Sequence, residues 1–78
     1  MRIEVTEKHI ENGKTMSDTK CPVALAIQDL IPNQNVRVGA RWIRIDGQWI
    51  QSPSHVCNFV REFDDHKDVY PFSFELDL

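Results

Sequence analysis

Glycine and proline are scarce in this chain, three and four of 78 residues, so its composition is neither that of a flexible linker nor that of a disordered segment. No apolar run approaches the roughly 20 residues that a membrane helix needs. The N-terminus carries no signal-peptide pattern. The chain therefore reads as cytoplasmic and, from Met1, as complete. Cysteine is limited to Cys21 and Cys57, which excludes a disulfide framework; a single bridge is conceivable, but a cytoplasmic protein keeps both as thiols. Zinc-type spacings such as C-x-x-C and H-E-x-x-H are missing, and so are a phosphate loop, a nucleophile elbow and a dinucleotide fingerprint. His55 and Cys57 stand as H-x-C with no close second pair, so neither a metal nor a cofactor is expected. The net charge of −3 leaves no overall basic face, and general nucleic-acid binding is not expected.

What is present makes one domain, residues 1–78, with 41% apolar content. A core of this size contributes only a few kcal/mol of net stability, and self-association is a common way to add more. A homo-oligomer is accordingly expected. The charge is unevenly spread. Residues 35–50 hold Arg37, Arg41 and Arg44 against Asp46 alone, while residues 62–78 hold six carboxylates against Lys67 alone. Such an asymmetry suits head-to-tail pairing of copies, two different partners, or an unevenly charged solvated surface.

Periodicity gives the elements. "MRIEVTE" alternates, with Ile3 and Val5 on one face, and predicts a strand. Thr6 can cap a short helix that Gly13 stops. "KTMSDTK" is polar and aperiodic, a mobile loop by composition. "CPVALAIQDLIP" is a helix with Pro22 in its first position and Pro32 beyond its end, burying Val23, Ala26, Ile27, Leu30 and Ile31. "NVRVG" alternates again, and "RWIRIDGQWIQ" reads as two strands about an Asp46-Gly47 turn. In "SPSHVCNFVREFDDHKD" Ser52 can cap a second long helix, with Val56, Phe59, Val60 and Phe63 at helical spacing. In "YPFSFELDL" Phe72, Phe74, Leu76 and Leu78 alternate inward. The order β-α-α-β-β-β-α-β predicts a small α+β domain: a mostly antiparallel sheet of four to five strands with two helices packed on one face.

The hairpin concentrates the chemistry. With Asp46 and Gly47 as loop residues, Arg44 pairs with Trp49, Ile43 with Ile50 and Trp42 with Gln51. Alternation then sends Ile43, Ile45 and Ile50 to the core and leaves Trp42, Arg44 and Trp49 together on the open side, extended by Arg37. Exposed indoles of this kind mark interaction sites. Aromatic faces bind cations or stack on rings, and arginine's planar fork holds phosphates and carboxylates. Three uses fit: a subunit or protein interface, a site for a small anionic, nucleotide-like ligand, or a self-contained arginine–tryptophan pair.

Cys21 is a weaker candidate. It stands at a helix start, where unpaired N–H groups and the dipole lower a thiol's pKa, and His9 of the preceding helix could approach it. No third orienting residue is evident from the spacing, and helix-start cysteines are often caps or core.

"VTEKHIENG", "CPVALAI", "FVREFD" and "PFSFEL" together resemble small uncharacterised proteins of tailed bacteriophages and prophages, whose pattern runs HIxxG, CPxALA, FxxxFD and PFxFEL. The likeness spans most of the chain and is carried by His9, Ile10, Gly13, Cys21, Pro22, Ala24 and Leu25, then by Phe59, Phe63, Asp64, Pro71, Phe72, Phe74 and Glu75. These are mostly core, capping and turn positions, and the Trp-Arg hairpin lies outside the pattern. The resemblance implies a phage context, in which small early proteins commonly inhibit a host protein or sequester a signalling molecule of host defence. The expected function is a non-enzymatic binding protein of that kind, acting in the host cytoplasm. The alternatives are a thiol-dependent enzyme using Cys21 and a nucleic-acid-associated module using Arg37, Arg41 and Arg44.

Overall fold

Buried Ile3 and Val5 alternate with exposed Arg2 and Glu4 in β1 (Arg2–Val5), and buried Phe74 is flanked by Ser73 and Glu75 in β5 (Phe72–Glu75). These strands pair antiparallel, Arg2 opposite Glu75 and Val5 opposite Phe72, so the two ends of the chain share one ladder. The computed structural model describes residues 1–77; Leu78, expected to face inward, lies outside the described residues. The middle of the chain builds a second antiparallel sheet from β2 (Val36–Val38), β3 (Trp42–Ile45) and β4 (Gln48–Gln51), in that order. Three helices, α1 (Glu7–Asn12), α2 (Pro22–Leu30) and α3 (Ser54–Asp64), complete the expected α+β order. The class and order are as expected, but the single sheet of four to five strands is not formed: the strands divide into a two-stranded and a three-stranded sheet, which α2 bridges by packing against α1, β1 and β2.

The helix starts follow local chemistry. Thr6 Oγ1 accepts from His9 N at 3.4 Å, and His9 Nδ1 accepts from Thr6 N at 3.0 Å, a reciprocal cap for α1. Gly13 ends that helix with an ordinary negative φ. Its missing side chain matters for another reason: a Cβ there would meet the Pro22 ring at 2.6 Å. Cys21 caps α2, its Sγ accepting from Ala24 N at 3.5 Å, and Pro22 fills the first turn.

Ile3, Val5, Cys21, Val23, Ala24, Ala26 and Ile27 pack with Val36, Val38, Ile43, Ile45, Val56, Phe59, Val60, Phe74 and Leu76 in one core cluster. Three further expectations need correction. Leu30 is exposed, because the buried positions of α2 fall in its first two turns and its last turn meets α1 through Asp29. Ser52 does not cap α3. Its N–H continues the β3–β4 ladder to Arg41 O at 3.2 Å, its side chain turns inward, and Oγ finds no partner among the described residues. The 14–20 loop is tied down at several points. Lys14 N donates to Lys20 O at 2.8 Å, Met16 N to Asp64 Oδ1 at 3.0 Å, and Val38 N to Asp18 O at 2.7 Å. That last bond lays the loop along the outer edge of β2. Among the described residues no helix is long and apolar enough to cross a membrane.

Candidate functional site

The β3–β4 turn sets the geometry of the hairpin. Asp46 and Gly47 both take positive φ, 49° and 86°, as a two-residue hairpin turn requires. Asp46 also fastens the turn to the start of β2, receiving Asn35 N on Oδ1 and donating its own N–H to Asn35 O, both at 2.9 Å. The register that results places Arg37 opposite Arg44, and Arg44 opposite Trp49. Ile43 and Ile45 are buried on the other side and Ile50 is half-buried, so the isoleucine face is the core face as expected.

Arg37, Arg44 and Trp49 thus form one row across three strands, and Trp42 joins it diagonally. The indoles of Trp42 and Trp49 meet edge to face, with centroids 4.8 Å apart at 70°. The Arg44 guanidinium lies over the Trp49 ring, 5.2 Å from its centroid. Trp42 is half-buried because its indole lies on Gly39, where any Cβ would come within 2.2 Å of the ring. Trp49 remains 60% exposed. Arg37 Nη1 donates to Asp18 Oδ2 at 2.9 Å, whereas Arg44 forms no ion pair among the described residues. Arg41 is exposed at the foot of β3 and contributes its carbonyl to Ser52 rather than its charge to the row.

Chemically, this surface can hold and orient but has nothing with which to move a proton near neutrality. Arginine stays charged, and indole carries only a donor N–H. Its natural complement is an anion with a flat apolar part.

The Cys21–His9 pair is not assembled. His9 Nε2 contacts Asp29 Oδ2 at 2.6 Å and its Nδ1 serves the α1 cap, so both ring nitrogens are engaged away from the thiol. Burial pushes the Cys21 thiol above its ordinary pKa. The N–H groups of Ala24 and Val23 pull the other way, as a helix start should, but burial outweighs them, and Asp64 and Asp18 add to the rise. The expected lowering of the pKa is therefore reversed. Both cysteines are free thiols. Among the described residues no three His, Cys, Asp or Glu side chains converge as a metal site would need.

A second concave surface was not anticipated from the sequence. His55, Asn58, Phe59 and Glu62 lie along one face of α3 and, with residues 68–72, line a cavity of about 480 Å³. The helical spacing of those four positions was readable. What could not be read is that the irregular stretch before β5 folds back over them. Comparison with family models, with curated proteins and with solved structures finds no match to this chain.

Proposed function

We propose that this chain is a small non-enzymatic binding protein, phage-encoded, that inhibits or sequesters a component of host antiviral defence by holding an anionic group against its hairpin face. The observation that carries the reading is the Arg37–Arg44–Trp49 row with Trp42 beside it. The isoleucines fill the core without help from the tryptophans, so the fold does not require Trp49 to be a large aromatic. An indole left 60% exposed next to a guanidinium with no ion pair among the described residues is what a contact surface looks like before its partner arrives. The phage context rests on the sequence resemblance.

A second reading has its own support. The outer edge of β2 is covered by the 14–20 loop through Asp18 O, while β4, with Trp49 and Ile50 on it, is the other edge of the sheet. An uncovered edge strand is a template for pairing with a second copy.

The test is the double variant Trp49→Ala/Arg44→Gln. Both side chains are exposed, so the variant should stay folded and lose only about 1 kcal/mol, the worth of the surface contacts among Trp42, Arg44 and Trp49. Expressed in a bacterial strain that restricts phage, the wild type should raise plating efficiency and the double variant should not. Equal rescue by the two proteins would remove the hairpin from the argument, and no rescue by the wild type in any restricting strain would remove the defence reading. Light scattering on the same pair separates the second reading, which requires a wild-type dimer that falls to monomer in the variant.

A further inference from the structure

The register sets Arg37 directly opposite Arg44, and like charges in that relation repel. Among the described residues, Asp18 answers Arg37 and no carboxylate answers Arg44. Beside the pair opens a recess of about 330 Å³ lined by Thr19, Asn35, Val36, Arg37, Arg44 and Gly47. Arg44 Nη2 reaches toward the turn, where it would stand 3.9 Å from a Cβ on Gly47. The recess is therefore lined by two arginines, a threonine and an asparagine, all of which carry side-chain donors, and by Gly47, which adds no side chain. The same Arg44 guanidinium lies over Trp49.

We propose that this recess is a phosphate subsite, and that the ligand of the hairpin face is a phosphorylated aromatic small molecule of the mononucleotide class. The inference rests on the reading of that face as a contact surface and adds the chemistry of what is held. The phosphate sits between Arg37 and Arg44, where a charge of about −1.5 to −2 at pH 7 offsets the repulsion of the two guanidiniums. Their planar forks and the donors of Thr19 and Asn35 suit an anion with several oxygens better than a single carboxylate. The ring of the ligand extends the stack that Arg44 and Trp49 begin. A cavity of about 330 Å³ falls at the low end of the range for small-molecule sites, roughly 300–1,000 Å³, and has room for a phosphate ester rather than a folded polypeptide segment.

Calorimetric titration of the full chain at low and moderate salt tests this, with adenosine and guanosine 5′-monophosphate, adenosine alone and inorganic phosphate as probes. A mononucleotide should bind at least tenfold tighter than either the nucleoside or inorganic phosphate. Arg44→Gln should weaken it tenfold or more, and Trp49→Ala should weaken the mononucleotide while leaving inorganic phosphate unchanged. Asp18→Asn, which releases Arg37 and keeps the backbone carbonyl that serves Val38, should tighten mononucleotide binding several-fold. Absence of mononucleotide binding at millimolar concentration, or affinity indifferent to Arg44→Gln, overturns the subsite. If those results come with a double variant that still fails to restore plating, the hairpin face stands and the phosphate assignment alone falls. If the variant plates like the wild type, both fall.

Discussion

The molecule contains two clusters of aromatic rings in mutual contact, and they differ in what they join. Phe59 of α3 lies 4.6 Å from Phe72 of β5, with Phe63, Phe74 and the His55 ring packed around them. That cluster links a helix to the ladder made by the chain ends, and Phe59 and Phe74 are about 95% buried in it. Trp42 and Trp49 touch at a similar distance but belong to a single hairpin whose strands are already paired. The first cluster is tertiary structure, and the second is decoration on a structure that exists without it. Aromatic contact alone does not tell the two apart. The number of separate elements that depend on the contact does.

The largest effect expected from breaking that contrast is at Phe59. Phe59→Ala empties the junction of α3 and β5 and should cost about 3–5 kcal/mol, a large share of what a domain of this size possesses. Urea unfolding measures it, and a loss under 1 kcal/mol would show that the phenylalanine cluster does not hold the elements together.

Gly39 tests the other cluster through the backbone beneath it. Gly39→Ala places a methyl inside the footprint of the Trp42 indole, so the ring must lift or the strand must shift, at about 1–3 kcal/mol. The near-UV circular dichroism of the tryptophan pair should collapse while helical signal persists. An unchanged aromatic spectrum would mean that Gly39 is not what seats the ring.

The smallest effect lies in the core, at Cys21. Because burial raises the folded pKa of Cys21 above that of the unfolded thiol, its contribution to stability is complete below the unfolded pKa and is lost as pH rises through the folded one. Wild type should therefore weaken from neutral into alkaline pH more steeply than Cys21→Ser, which keeps a capping side chain. Parallel urea midpoints for the two proteins from pH 7 upward would assign the loss to other groups.

Local patterning made much of this legible. Period-two alternation and the Asp46-Gly47 pair define the hairpin, its register and therefore which side of it carries Trp42, Arg44 and Trp49. The stripe of Val56, Phe59 and Val60 identifies the buried face of α3. What escaped depends on partners distant in sequence. His9 meets Asp29 twenty positions on, Met16 reaches Asp64, and the stretch before β5 closes over α3, none of which leaves a periodic trace. Ser52 misled because a serine before a proline at a helix start looks like a cap, yet strand pairing with Arg41 claimed its backbone first. Leu30 misled because helical spacing says which face is apolar but not where the layer covering it ends.

The pairing of β1 with β5 has a consequence for how the chain is made. A nascent polypeptide carries Arg2–Val5 without a partner until Phe72–Glu75 have been synthesised and released from the ribosomal tunnel. Joining segments so remote means closing the longest loop the topology offers, a slow step compared with a two-residue turn that zips in microseconds. The Arg37–Arg44–Trp49 row, built from strands joined by short connections, can thus take shape before the two ends of the chain pair to complete the domain.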